Sequence, residues 1–276
     1  MQKRPIAYQV YSAREEAAQN LDAVLAELAA MGYDGVEFAG FYGHSAQDIA
    51  AMLTKHGLIA LSSHVPLAAM QADPFGVIAY HQTIGCSYIA IPYLDDTTRP
   101  GAPGFAAVLQ FIYKFAALCR EAGIQLLYHN HDFEFVTISG QYGLDFLYDA
   151  VPASLLATEI DVCWVKYAGL NPADYLRRYA GRCPVVHLKD YVGTRDGHPP
   201  YALIGLPQSE PDENAKQAFE FRPFGHGSQD VPSVLTAAIE SGAQWFVVEQ
   251  DMAVGMTPLE AARASIETLR KAGVKA

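Results

Sequence analysis

The sequence predicts an α/β chain folded as one single-domain (β/α)8 TIM barrel. Three observations carry this: short apolar runs alternate with helical patterns eight times, the units recur at roughly 30 residues, and the 276 residues lie near the ~250 usual for that fold. A doubly wound open sheet is the competing class. No GxGxxG follows the first strand and eight units leave little chain for a second domain, so residues 1–276 read as one barrel.

The first apolar run is 5–11. Its helix carries Leu21, Val24, Leu25, Leu28 and Met31 on one face, with Ser12 and Glu15 in the form of a capping box and Gly32 as the stop. Residues 35–38 form the second strand. Ser45 and Asp48 open the next helix, Ile49, Met52 and Leu53 are its stripe, Gly57 closes it, and 58–64 is the third strand. A fourth strand spans 87–93. The helix with Val108, Leu109, Ile112, Phe115 and Leu118 ends at Gly123, before a fifth strand at 124–131 that turns polar only at its carboxyl end. The sixth strand is 155–161, Asn171 and Pro172 cap the next helix, and the seventh strand is 183–189. Asp230 opens another helix, 244–250 is the eighth strand, and Thr257, Pro258 and Glu260 cap a last helix running to Gly273. The stretch 191–229, rich in Pro, Gly and charge, is too long for an ordinary connection and reads as an extended loop acting as an active-site lid.

Composition narrows the function. Hydrophobic residues make up 51% and charged residues 18%, the balance of one well-buried domain. A chain of this length buries about three quarters of its unfolded surface, so a bound metal would serve chemistry rather than hold the fold together. Lys plus Arg number 19 against 30 Asp plus Glu, and the net charge of −11 repels phosphate backbones and anionic lipid, excluding nucleic acid and membrane as partners. Cys86, Cys119, Cys163 and Cys183 form no CxxC pair, the first residues lack the apolar stretch of a secretory signal, and no apolar run approaches the ~20 residues of a bilayer span. A cytoplasmic protein with reduced thiols is expected.

A barrel of this kind keeps its site at the carboxyl ends of its strands. Those ends are polar out of proportion to the runs that precede them: Glu37, His64, the run from Tyr128 to His131, Glu159 and Asp161, His187 and Lys189, Glu249 and Asp251. Strand alternation puts His129 with His131, Glu159 with Asp161, His187 with Lys189, and Glu249 with Asp251 on shared faces, so four strands converge nitrogen and carboxylate groups on one mouth. Such donors suit Mn, Co, Zn or a hydrated Mg, and a cation offsets the cost of grouping carboxylates in a low-dielectric pocket.

The run YHNHDFEF from Tyr128 to Phe135, then Glu159-Ile160-Asp161, His187-Leu188-Lys189-Asp190 and Val248-Glu249-Gln250-Asp251, resembles the xylose isomerase-like TIM-barrel superfamily. That group includes sugar phosphate isomerase/epimerases, ketose 3-epimerases, inosose dehydratase and, more distantly, endonuclease IV. The resemblance implies one divalent metal ion, Mn, Co, Zn or Mg, held here by His129, Asp161, His187 and Glu249. His129 stands where the epimerase pattern has a glutamate, which disturbs the symmetric carboxylate pair of that branch, and the Tyr-His-x-His strand end looks more like inosose dehydratase.

The individual residues keep alternatives open. His129 and His131 compete for one ligand position; register favours His129 and leaves His131 to bond substrate or a ligand. Glu159, one layer below Asp161, contacts substrate, orients a ligand or pairs with Lys189; Lys189 is a proton donor, a hydroxyl ligand or an ion-pair partner. Glu249 is the favoured base, with His131, Lys189 and Glu134 as candidates for a second acid/base group. His64, Glu134 and Trp164 are candidate substrate contacts, and Arg222 and His226, near glycine hinges, would close the lid over a sugar.

The expected activity is divalent-metal-dependent isomerisation or epimerisation of a ketose or related keto-sugar through a metal-stabilised enediolate, with a dehydratase or lyase of a keto-cyclitol or 3-keto-sugar as the alternative. The expected partner is a small sugar or cyclitol. By resemblance a homodimer is expected too.

Overall fold

The computed structural model describes residues 1–194 and 219–275. Eight parallel strands close into a barrel: β1 (Ile6–Gln9), β2 (Gly35–Phe38), β3 (Ile59–His64), β4 (Tyr88–Ile91), β5 (Gln125–His129), β8 (Leu156–Asp161), β9 (Val185–Leu188) and β12 (Trp245–Val248), with β12 pairing β1 to complete the ring. Two antiparallel pairs lie outside it, β6 (Thr137–Ile138) with β7 (Gln141–Tyr142) and β10 (Asp190–Gly193) with β11 (Phe219–Arg222). The helices are α1 (Arg14–Met31), α2 (Ala46–His56), α3 (Leu67–Ala72), α4 (Pro74–Thr83), α5 (Phe105–Glu121), α6 (Gly143–Ala150), α7 (Val162–Tyr167), α8 (Pro172–Arg178), α9 (Val231–Glu240) and α10 (Pro258–Lys271).

Local chemistry sets most of the boundaries. Ser45 and Asp48 form a reciprocal capping box at α2, and Thr257 and Glu260 form another at α10; Asn171 and Asp230 cap α8 and α9. The box expected from Ser12 and Glu15 does not form. A 3-10 turn, Val10–Ala13, precedes α1, Ala13 occupies the N-cap, and the Ser12 hydroxyl instead accepts a 3.0 Å hydrogen bond from the Gln250 backbone. Ser12 thereby ties the start of the first helix to the end of the last barrel strand. The predicted stripe of α1 is buried, with Leu21, Val24, Leu25, Leu28 and Met31 at most 3% exposed, each worth ~1.5–3 kcal/mol of apolar burial.

Inside the barrel, Ala7, Leu61, Ala90, Leu127, Ala157, Val185 and Val247 form a separate apolar floor, flanked by Tyr88 and Trp245. Side chains alternate along a strand, so two residues beyond this floor the interior passes to Gln9, Glu37, His129, Glu159, His187 and Glu249. One step higher come Asp161, Lys189 and Asp251. All nine are buried.

Of the expected lid at 191–229, residues 195–218 lie outside the described residues. Its two flanks form the β10–β11 hairpin, in which Asp190 faces Arg222 and Tyr191 faces Phe221. The hairpin packs on α7 through a cluster of Cys163, Trp164, Tyr167, Tyr191, Phe219 and Phe221.

Candidate active site

Among the described residues, donors in the interior above the floor fall into three overlapping groups, a trio of His64, His129 and His187 and two quartets that this trio links. The upper group is His129, Asp161, His187 and Glu249, the deeper one Glu37, His64, Glu159 and His187, and within each the donor atoms lie within 4.8 Å of one another. All seven side chains are buried.

His129 is the most informative member. Its Nδ1 lies 3.2 Å from the Pro92 carbonyl and its Nε2 3.3 Å from Asp161 Oδ2, so the ring faces an acceptor on each side. A neutral imidazole carries one N–H and can answer only one of them. Burial pushes the His129 pKa down to about 4, which keeps the ring neutral near pH 7. With Nδ1–H given to Pro92, Nε2 and Asp161 are two lone-pair donors side by side, an arrangement that a cation satisfies.

Asp161 is fixed by its surroundings. Its Oδ1 accepts from the backbone N–H groups of Cys163 at 2.8 Å and Trp164 at 3.3 Å, capping α7, while its own N–H donates to Asn130 Oδ1 at 3.0 Å. Burial acts to raise its pKa, but Lys189 and His129 outweigh this and leave it below the usual value. Glu249 behaves likewise: burial raises it, and the Lys189 ammonium and His187 hold it well below the usual carboxylate range.

Lys189 is 1% exposed and sits among three carboxylates, 2.9 Å from Glu249, 2.9 Å from Asp251 and 3.4 Å from Asp161. Its ammonium also lies 5.2 Å from the centre of the Trp164 ring. Burial pushes Asp251 up to about 7, against the pull of Lys189 and with the push of Glu249. Near neutral pH, Lys189 therefore has beside it two firm carboxylates, Asp161 and Glu249, and one carboxyl, Asp251, that gains and loses its proton.

In the deeper group, His64 Nε2 lies 2.8 Å from Glu159 and 3.1 Å from Glu37, and His187 Nε2 lies 2.8 Å from Glu37 and 3.6 Å from Glu159. The other nitrogen of His187, Nδ1, faces Glu249 at 2.9 Å. Burial and the neighbouring Glu37 push Glu159 up to about 7. Gln9 Nε2 donates to Glu37 Oε1 at 2.7 Å.

His131 stacks between Phe133 at 5.1 Å and Trp164 at 5.5 Å, at the edge of the His129 ring. Glu134 is fully buried, accepting from the Tyr128 hydroxyl at 2.7 Å and the His131 backbone at 2.8 Å, so both its oxygens are engaged in holding the strand end; burial pushes it up to about 7. Trp164 is fully buried under Lys189. Arg222 pairs with Glu220 on β11. His64 belongs to the deeper group. All four cysteines are free and buried, apart from these donor groups.

Glu37, Gln9 and Asn130 were given no role from the sequence. Glu37 carried a usable signal, a carboxylate closing a buried four-residue strand, whereas Gln9 and Asn130 matter through contacts with other strands that no local pattern encodes.

The sequence profile of the xylose isomerase-like TIM barrel family matches residues 25–272. The chain belongs to that family. Among curated proteins, this member of the xylose isomerase-like barrels is 23% identical over 191 residues to inosose dehydratase of Geobacillus kaustophilus (strain HTA426), a match covering 61% of each chain. Among solved structures, a sugar phosphate isomerase/epimerase from Parabacteroides distasonis ATCC 8503 superimposes with a TM-score of 0.77 at 21% identity, over 100% of this chain and 96% of the other. The IOLI protein, solved with a binding zinc atom, gives 0.68 at 16% identity over 97% of each chain. At these identities the structural matches establish the barrel. No helix among the described residues is long and apolar enough to cross a membrane.

Proposed function

We propose that this family member is a divalent-metal-dependent lyase that removes water, or another β-oxygen leaving group, from a keto-cyclitol or 3-keto-sugar. The observation that carries the reading is the unlike pair on one side of the mouth, the Glu249 carboxylate 2.9 Å from the Lys189 ammonium. The position where the epimerase pattern has its other glutamate is held by His129, whose Nδ1 faces the Pro92 carbonyl and whose pKa burial lowers to about 4. Epimerisation through two bases on opposite faces of a sugar needs a second proton carrier there. This asymmetry supports ranking elimination ahead of isomerisation, the reverse of the order that the family resemblance alone suggests.

The residues divide the work as follows. His129, Asp161, His187 and Glu249 would hold the ion, and their mixed imidazole and carboxylate donors fit Zn, Co or Mn. When bound, a divalent ion supplies Lewis-acid polarisation of the substrate carbonyl and so acidifies the adjacent C–H. Glu249 takes that proton. Lys189 gives a proton to the oxygen on the β-carbon, the C–O bond breaks, water leaves, and the electron pair of the C–H bond becomes the new C=C. With Asp161 and Glu249 shared with a cation, Lys189 loses part of the carboxylate field that holds its proton, which makes it a better donor. Trp164 walls the chamber beside it, and Asp251 accepts or returns the spent proton.

The inosose dehydratase relative supports this reading. Isomerisation is the second reading, favoured by Asp251, which burial brings to about 7 and which sits 2.9 Å from Lys189 as a second proton carrier. Incubation of the metal-loaded protein with inososes and 3-keto-sugars in D2O separates the two. Loss of water with a new conjugated C=C absorbance is the expected result; solvent deuterium in an isomer of unchanged mass apart from the label would overturn it.

A further inference from the structure

We propose that the barrel holds a second divalent-cation site beneath the first, built by Glu37, His64, Glu159 and His187. The four come from β2, β3, β8 and β9, and only His187 is shared with the upper group. The inference stands on its own donors and does not depend on which reaction the upper site runs.

The geometry points to an ion for three reasons. Two ring nitrogens and two carboxylate oxygens alternate around a small quadrilateral, His64 to Glu37 to His187 to Glu159 and back, with sides of 3.1, 2.8, 3.6 and 2.8 Å. All four donor atoms lie within 4.8 Å of one another, and all four side chains are buried. Next, three polar atoms of these side chains lack hydrogen-bond partners among the described residues, and one of them, His187 Nε2, is a corner of the quadrilateral; the corner oxygens Glu37 Oε1 and Glu159 Oε2 are met by Gln9 and His64. His187 Nε2 makes no directed hydrogen bond among the described residues although an oxygen lies 2.8 Å away, and Glu37 Oε2 and Glu159 Oε1, on fully buried side chains, accept none there either. Buried polar atoms are rarely left so, and a bound cation would answer these. Last, the charges close when this ion is bound alone: two carboxylates balance one divalent cation while both imidazoles stay neutral, which is the form in which they ligate. Two His and two carboxylates favour Zn, Co or Mn over Mg.

His187 links the two sites. Its Nδ1 faces Glu249 at 2.9 Å and its Nε2 faces Glu37 at 2.8 Å, so cations in both groups would share one ring as a bridge. With an ion on each side the ring would give up its last N–H proton and serve as a bridging imidazolate, one negative charge shared between the two ions. His64 would bring Nε2, which lies 2.8 Å from Glu159, to the lower ion as a lone pair.

The test counts ions. The full-length chain, purified without a metal-affinity tag and stripped with chelator, is titrated with Zn²⁺ or Co²⁺, and bound metal is measured by mass spectrometry. Anomalous difference maps from soaked wild-type crystals locate each ion without any substitution. Two ions per wild-type chain are expected, with Glu159→Gln losing the lower ion and Asp161→Asn the upper one. A single ion, located at His129, Asp161, His187 and Glu249 and retained in Glu159→Gln, overturns the proposal and leaves the proposed function intact. A single ion in the lower quartet, lost in Glu159→Gln but kept in Asp161→Asn, upholds it and moves the metal of the proposed function. No ion at either place overturns both. If Glu159→Gln does not fold, the wild-type maps decide alone.

Discussion

His129 directs Nδ1 at the Pro92 carbonyl, 3.2 Å away, and this contact fixes what the other side of the ring can do. A ring that donates there offers Nε2 as a lone pair, and with its pKa lowered by burial to about 4 His129 would act on the proposed reading as a ligand rather than a base. His129→Ala should therefore weaken metal binding by at least the ~10–100-fold that loss of a supporting partner costs, measured by competition with a chromogenic chelator. Unchanged affinity would remove His129 from the site.

Removing the metal should abolish turnover. Dialysis against a chelator is expected to remove activity and lower the midpoint of thermal unfolding, and Zn²⁺, Co²⁺ or Mn²⁺ should restore both, because the ion binds the folded chain and not the unfolded one. Full activity in metal-free protein, verified by elemental analysis, contradicts the assignment.

Lys189 and Glu249 should separate by leaving group. Glu249→Gln is expected to cost ~10²–10⁴ in kcat with every substrate, since the C–H proton always has to go somewhere. Lys189→Met should show a loss of that size for hydroxide departure and much less for a leaving group that needs no proton. Equal losses in Lys189→Met for both kinds of substrate would make Lys189 a positioning group.

Asp190 clasps the segment that follows β11. Its Oδ1 accepts from the backbones of Tyr191, Ser228 and Gln229, and its Oδ2 from Gly225 and Gly227, all between 2.8 and 3.1 Å. A Cβ at Gly227 would run into this carboxylate, which is why glycine stands there. Asp190→Ala orphans these N–H groups at ~1–3 kcal/mol for each that water cannot reach. Faster limited proteolysis within 224–229 is the expected outcome, with KM rising more than kcat falls.

His81 gives a pH signature away from the site. It is buried, its Nδ1 lies 2.6 Å from the Val77 carbonyl, and burial holds its pKa below the usual 6.5. The unfolded chain then takes up a proton that the folded chain refuses, so this contribution is complete above about pH 6.5 and fades as the pH falls below it, at about 1.4 kcal/mol per unit of depression. Between pH 7.5 and 5.5 the wild type should lose more stability than His81→Gln in denaturant titrations. Parallel curves would contradict the assignment.

Much of this was legible from local pattern. The polar strand ends at His129, Asp161, His187, Lys189 and Glu249 follow from alternation along strands whose lower inward residues are Ala or Val or Leu, and the caps at Ser45, Asn171, Asp230 and Thr257 follow from side-chain chemistry a few residues wide. What local pattern did not reveal was partnership across strands. Ser12 had the form of a cap but is claimed by Gln250, 238 residues away; Glu134 sat beside the motif as an acid/base candidate but has both oxygens bonded to Tyr128 and His131; Glu37 ended an apolar strand, and its link to His187 appears only once β2 and β9 face each other across the closed barrel.

On the proposed reaction the apolar floor also bears on how products would leave. Ala7, Leu127, Val185 and Val247 close the barrel interior below the polar residues, so an organic substrate and its product would pass only at the carboxyl ends of the strands. Lys189 lies two residues beyond His187 along the chain, so an oxygen protonated by Lys189 would depart nearer that end, and the unsaturated organic product would be the last to go.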